Sequence, residues 1–468
     1  IGGIGSTLAG DDGRTNNWSI QAVIDQNNAT TDGQNDGTVN GGLRFVNFDN
    51  LRGGDGVDNF VIASSGAFQG TIDGNGGANT LTAKNEVNTW NIHASDSTLA
   101  YAGTNSGIIT TFNNIRDLTG GNVRDVVTVD NGVSINSFNA GDGNNDVTIN
   151  GTVAGAITAG AGADTIRISG SAGSGNAGAG NDTIAMGAAG TVIGLIDGGG
   201  DSDTVDLTAR TTATTVQIGT APDAAFNVAQ IETINANGAV ANTLVGDGGD
   251  NTWIVDGANR GSVAGVAFTG FRNLTGGAGV DTFTVNNGGS VVNINTGDGA
   301  TNSVTAVAGG AVTGTITGGI GADTIDVSGS VNAISAGGGD DIIFVRAGGT
   351  VAGSVDGGAG NDTFTVRGTV TGDLLGGDGD DYFDVAGGTV SGTIIGGGEV
   401  TLAGDQVNVG AGQTVYIGSS VSLSGFRISG IEGVASTDGN LYARNGVDTT
   451  WNITGSDSGN ATDTGGGR

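Results

Sequence analysis

The chain has no cysteine, one proline, one lysine, one histidine and one methionine in 468 residues. Each scarcity removes a class of chemistry. Without cysteine there is no disulfide framework and no thiolate nucleophile or ligand. With His93 alone, Ser-His-Asp catalysis and histidine-based zinc sites have almost nothing to draw on. A lone histidine after an alternating strand reads as a surface or turn residue rather than a base. A single proline excludes collagen and a proline-rich linker. The basic count is 15 against 47 acids, a net charge of −32, which argues against a nucleic-acid partner. Glutamate is scarce too: 4 Glu stand beside 43 Asp. Helical acidic proteins use Glu freely, whereas Asp belongs in turns and at oxygen-ligand sites. No stretch reads as a signal peptide or a membrane span. The chain opens on Ile1, which suggests a fragment or processed piece of a longer protein.

What is abundant is glycine, 96 residues, with Val, Ile, Ala, Phe and Thr placed between. The placement is periodic. GGAGNDTFTV from Gly357 recurs as GGDGDDYFDV from Gly376, GGIGADTIDV from Gly318 and GGAGVDTFTV from Gly276. Aligned on the acid or amide before each strand, one column runs Asp125, Asn145, Asp164, Asp182, Asp203. Another runs Asp281, Asn302, Asp323, Asp341, Asp362, Asp381, Asp405. Asp58 and Asn79 form a shorter pair near the start. Two and four residues after each member stands an apolar residue, such as Phe364 and Val366, so one face of a strand is buried. A second strand lies between: GGTVAGSV from Gly348, RGTVTGDL from Arg367, GGTVSGTI from Gly387.

A unit of about 20 residues with roughly four inward apolar side chains cannot bury its own face, but stacked copies can. The pattern therefore predicts an all-β fold, a parallel β-solenoid (β-helix or β-roll) with almost no helix. A longer repeat overlies it. Trp18, Trp90, Trp253 and Trp451 each fall in the slot of Phe364, and read as ordinary rungs with a bulkier core residue. After three of them comes a marker, FVNFDNLRGG, FNNIRDLTGG and FTGFRNLTGG. The supermodules span 1–87, 88–250 and 251–448, with 449–468 opening another, all in one continuous solenoid. The stretches 207–245 and 410–448 lack the rung pattern and read as bulges or loops. No polar cap is visible at either end, so self-association into a filament or array, or flanking repeats, are the expected partners.

GGxGxDxUx, with U a large apolar residue, resembles the nonapeptide of the repeats-in-toxin family, the haemolysin-type calcium-binding repeats. GGAGNDTFT, GGDGDDYFD, GGAGVDTFT and GGDGVDNFV from Gly53 fit it fully. GAGADTIRI from Gly160 and GAGNDTIAM from Gly178 fit from the second glycine. The resemblance implies calcium between stacked turns, export of an unfolded chain and folding outside the cell. It points to Asp164, Asp182, Asp203, Asp323, Asp341, Asp362 and Asp381 as metal ligands. Calcium wants six to eight hard oxygens, which two stacked turns supply. Family repeats run in tandem at nine residues, whereas here one nonapeptide occurs per rung, so at most one edge is expected to carry calcium. The supermodules also look like those of giant repetitive surface adhesins of bacteria. These features imply a structural segment of an extracellular fibre, surface layer or adhesin, with no catalytic residues and possible contact with cell-surface polysaccharide. Two alternatives stand beside it. One is a polysaccharide-active β-helix enzyme (lyase, hydrolase or epimerase), though the arginines form no cluster: Arg116 and Arg124, and Arg346 and Arg367, look like counter-charges. The other is an ice-binding solenoid presenting the column Ser330, Thr350, Thr369, Thr389.

Overall fold

A computed structural model describes residues 5–21, 36–63, 66–94, 97–101, 109–219, 226–398, 404–411, 414–417, 426–431, 433–435, 440–443, 449–455 and 458–463. No helix occurs among them; the elements are short strands. The chain divides into two compact units, one of residues 1–212 and 220–237, the other of 213–219 and 238–468. Each is a parallel β-solenoid of two stacked sheets.

In the first unit one sheet takes Asp125–Val129, Asp146–Ile149, Thr165–Ile168, Thr183–Met186 and Thr204–Leu207, paired parallel in that order. The register keeps Val127, Val147, Ile166, Ile184 and Val205 in one line, all buried. In the second unit Trp253, Phe283, Val304, Ile325, Ile343, Phe364, Phe383 and Val407 form the corresponding line. The facing sheet supplies Ile294, Ile316, Ile334, Val355, Leu374 and Ile394. Period-two alternation thus becomes two inward columns meeting in a narrow core, with Thr, Asp and Asn outward.

The second strand of the rung is less simple than its sequence suggests. Thr350–Val351 and Val355–Ala359 are separate strands with a bend between them. Gly353 sits in that bend, and a Cβ there would lie 2.8 Å from the Asn332 carbonyl one rung below. The stretch 207–245, expected as bulge or loop, holds the strands Thr215–Ile218, Phe226–Ala229, Thr233–Ala236 and Thr243–Val245. Among the described residues of 410–448 are Thr414–Ile417, Phe426–Ser429, Gly433–Ala435 and Asn440–Ala443. Irregular spacing hid these rungs.

Three tryptophan strands are rungs on one side only, whereas that of Trp451, Thr449–Gly455, pairs antiparallel with Ser458–Asp463. Asn88–Ile92 pairs parallel with Asp125–Val129, and on its other edge antiparallel with Ser97–Tyr101, which pairs antiparallel with Ile109–Asn113. Thr252–Gly257, Arg260–Val263 and Val266–Thr269 repeat the arrangement, as do Asn16–Ile20, Gly37–Val39 and Leu43–Phe45. Each marker begins in the last strand of a meander and runs on into the next rung strand, Asn50–Arg52, Asp117–Thr119 or Asn273–Gly277. Trp253 stacks on Phe283 of the next rung (5.1 Å, 10°) and meets Phe268 of its meander edge-on (6.2 Å, 62°). Trp18 does the same with Phe60 and Phe45. A large ring is needed where the core must fill both a rung and a hairpin. Trp253→Ala is expected to destabilise its unit by about 3–5 kcal/mol, read from the denaturant midpoint of the second unit's transition.

Candidate metal column in the glycine turns

The turn Gly357–Asp362 shows why the motif has its glycines. A Cβ on Gly357 would fall 2.1 Å from Asp362 Oδ2 and 2.8 Å from the Gly376 carbonyl. Gly358 (φ +107) and Gly360 (φ +130) adopt the left-handed half of the map, and a Cβ on either would strike the carbonyl of the glycine one rung below. The first glycine makes room for the carboxylate, and the other two let the backbone stack. Gly357→Ala is expected to cost about 2–4 kcal/mol by forcing the carboxylate out of its hollow. Denaturation of this variant beside Ala359→Gly, at the neighbouring exposed position, separates that loss from a general effect of the turn.

Every carboxylate of the column is almost wholly buried, and its two oxygens have different surroundings. Oδ1 accepts the backbone N–H of the preceding column member. In the second unit this runs Asn251 to Asp281 (3.0 Å), Asp281 to Asn302 (2.9 Å), Asn302 to Asp323 (2.6 Å) and Asp323 to Asp341 (2.6 Å). It continues through Asp341 to Asp362 (2.8 Å), Asp362 to Asp381 (2.8 Å) and Asp381 to Asp405 (2.7 Å). In the first unit Asp125, Asn145, Asp164, Asp182 and Asp203 follow the same rule, and Asp203 N–H donates to Glu232 Oε2 at 2.7 Å. Glu232 is a column member that the sequence reading passed over. The signal was present: Glu-Thr-Ile stands in the frame of Asp-Thr-Ile.

Oδ2 has no hydrogen-bond donor at Asp58, Asp164, Asp182, Asp203, Asp281, Asp323, Asp341, Asp362 or Asp381. All seven aspartates expected as ligands are in this set; Asp58 and Asp281 join them. The amide members show what the hollow wants. Asn145 Nδ2 donates to the carbonyls of Gly141 (3.0 Å), Gly143 (2.9 Å) and Ala159 on the next rung (2.9 Å). Asn79 Nδ2 donates likewise to Gly74, Gly76 and Asn114. The hollow is thus walled by carbonyl oxygens. Where Asn is replaced by Asp, an oxygen faces oxygens, and only a proton or a cation relieves the clash of negative partial charges.

Burial accordingly pushes these carboxyls up: Asp164, Asp323 and Asp362 to about 7, Asp182 and Asp341 to about 6. Neighbouring carboxylates add to the rise, Asp182 at Asp164 and Asp341 at Asp323. Asp125 is raised to about 6 by burial, but its Oδ2 accepts Gly121 N–H at 3.0 Å and its Oδ1 accepts Trp90 Nε1–H at 3.3 Å, so it lacks an orphaned oxygen. In the preceding turn the chain's sole lysine stands in a glycine slot. Lys84 Nζ, fully buried, meets Glu86 Oε2 at 3.0 Å, a cation built into the turn.

Asp58 and Asn79 lead into strands of one sheet of the first unit, while Asp125 to Asp203 lead into the other. The turn beginning at Gly53 therefore lies on the opposite edge from the main column. Both edges carry such turns, in different stretches, because Asn79 and Asn88 stand only nine residues apart and lead into different sheets, a step of half a rung. A second ladder runs along the exposed rim. Asn361 N–H donates to Asp340 Oδ1 (2.8 Å), Asp380 N–H to Asn361 Oδ1 (2.9 Å), and Ala163 N–H to Asn144 Oδ1 (2.9 Å). It points the other way from the inner ladder, so each rung is tied to both neighbours by side chains as well as by strands.

The residues fit a hard divalent cation. A buried carboxylate oxygen and several carbonyls per turn are calcium donors. No three acidic or histidine side chains converge among the described residues, so a bound ion would depend on the backbone carbonyls. The arginines split. Arg346 grips Asp326 with two nitrogens, Arg367 reaches Asp384 at 2.5 Å and Arg124 lies 4.0 Å from Asp146. These are counter-charges on the outer face.

No family model matches the chain, and no curated protein matches it. The chain is a β-solenoid repeat protein, and its likeness to the haemolysin-type repeats rests on the turn motif. A fold comparison finds the X-ray crystal structure of a hyperactive, Ca2+-dependent, beta-helical antifreeze protein from an Antarctic bacterium. It is 20% identical, covers 76% of this chain and 79% of that one, and superposes with a TM-score of 0.19. With so low a score the likeness lends no weight to any function. No helix among the described residues is long and apolar enough to cross a membrane.

Proposed function

We propose that the chain is a rigid, acidic structural segment of a bacterial extracellular fibre, surface layer or adhesin, held by calcium in its glycine turns. The observation that carries the calcium reading is the row of orphaned Oδ2 atoms in hollows that asparagine fills with an amide. Asp164, Asp182 and Asp203 hold the ions in the first unit; Asp323, Asp341, Asp362 and Asp381 hold them in the second. The task of the molecule is mechanical: stacked rungs bury a narrow core, and the ions neutralise the acidic edge. Export and contact with further copies or flanking repeats belong to this reading, and catalysis does not. Calcium titrated into chelator-treated protein, followed by far-UV circular dichroism and solution scattering, tests it. A saturable gain of β-structure and elongation supports the reading; unchanged protein in chelator and calcium at pH 8 overturns it.

A second reading has an observation of its own. Ser330, Thr350, Thr369 and Thr389 are in register on adjacent rungs and point outward. A regular hydroxyl file of this kind suits an ordered water surface such as ice. Thermal hysteresis measured on the calcium-loaded protein decides it, with no hysteresis ending that reading.

A further inference from the structure

The sole histidine, exposed, lies on the wall of an open hollow. At the root of the first unit's second meander a hollow of about 350 Å³ is lined by His93, Ser97, Asn113, Asn114, Arg116 and Ser134 over a floor of Ile92, Phe112 and Ile135. His93 Nδ1 lies 2.6 Å from Asp130 Oδ2. That bond fixes the ring and leaves Nε2 as the free ring nitrogen. Ser97 Oγ accepts His93 N–H and donates to His93 C=O, both at 3.2 Å, which anchors the backbone that carries the ring. Arg116 is exposed on the wall and has no ion pair with a described residue, unlike Arg124, Arg167, Arg346 and Arg367. Arg272, in the same place of its marker, likewise has no ion pair with a described residue.

The hollow is also a departure from the repeat. Three residues after Trp253, where His93 follows Trp90, stands Asp256, bonded to Arg260 at 3.1 Å. The histidine is therefore not needed to build a meander. We infer that the cavity binds an acidic sugar, its carboxylate on the Arg116 guanidinium and its hydroxyls against His93 and the polar wall. A guanidinium presents a planar fork that matches a carboxylate with two parallel bonds. A mostly polar wall with a small apolar floor suits a hydroxylated ring better than an aromatic or lipid. The volume lies at the small end for ligand pockets, room for one or two sugar units. This site is independent of the metal column.

Because His93 is the only histidine, its ring signals in the 15N-histidine-labelled full chain are assigned without ambiguity. Titration with glucuronate is expected to give a saturable shift of those signals at millimolar concentration. Glucose at the same concentration is expected to give none, and acetate a response at least fivefold weaker. Arg116→Ala should weaken the glucuronate response at least tenfold. The Arg116 carbonyl keeps its bonds from Asn136 and Ser137 N–H in any variant, so the fold is retained; Arg116→Lys, expected to keep part of the response, is the second check. An unmoved His93, an equal shift with glucose or acetate, or full binding by Arg116→Ala overturns the proposal, whichever way the calcium titration falls.

Discussion

In chelator, the second unit is expected to be more stable at pH 4 than at pH 8, the reverse of an ordinary acidic domain. Folding raises Asp323 and Asp362 to about 7 and Asp341 to about 6, whereas in the unfolded chain they titrate near the usual carboxylate value. The folded state therefore holds protons that the unfolded state has lost. Their contribution is fully present below about pH 4 and disappears as pH rises through 6 to 7. A protonated carboxyl donates to the hollow's carbonyls as the Asn145 amide does, and an ionised one cannot. One pKa unit is about 1.4 kcal/mol, so the expected loss is on the order of several kcal/mol across the unit. Saturating calcium should restore stability at pH 8 through its binding to the folded state and should add little at pH 4, where protons hold the sites. Thermal melts at the two pH values, each with chelator and with calcium, give the four numbers. If calcium raises the melting temperature equally at pH 4 and pH 8, or if chelated protein is steadier at pH 8, the column is not the calcium site.

Much of this architecture was legible in the sequence because the solenoid is a one-dimensional object. Period two gave Phe364 and Val366 their inward face, and the recurrence of the Asp-Thr-apolar frame gave the stacking register. What stayed hidden lay where the period breaks. The tryptophans occupy the slot of Phe364, so nothing local showed that the partner on one side is an antiparallel hairpin; the phenylalanine of each marker was the only trace. The opposite edge of the Asp58 turn comes from the nine-residue step between Asn79 and Asn88, a half-rung shift that changes sheet without changing the motif. The seven aspartates were named from the resemblance of their turns to the haemolysin-type repeats. Their split between a bonded Oδ1 and an orphaned Oδ2, and the carbonyls that the Asn145 amide finds in the same hollow, needed the third dimension. His93 is the exposed residue its place after an alternating strand suggests, but its partner Asp130, 37 positions away across a hairpin, was not legible.

The equivalence of amide and acid yields the sharpest expectation. Replacing Asp341, Asp362 and Asp381 together by Asn should make the second unit less dependent on calcium and more stable in chelator at pH 8. Each new Nδ2 finds the carbonyls that Oδ2 now opposes, and each Oδ1 keeps the backbone bond from the rung below. A hydrogen bond in place of an ionised, unpaired oxygen is worth about 1–3 kcal/mol at each position, enough to move the chelator melt by many degrees. Alanine at the same three positions should do the opposite under every condition. It removes the acceptor for the N–H groups of Asp323, Asp341 and Asp362 and leaves them buried without a partner. The two triple variants therefore separate the two oxygens of the carboxylate. If asparagine behaves like alanine, the hollow needs the negative charge itself, as a site that is never empty of metal would. If asparagine restores stability and abolishes the calcium response, charge and fold are separable, and aspartate at these turns makes the second unit depend on the calcium around it.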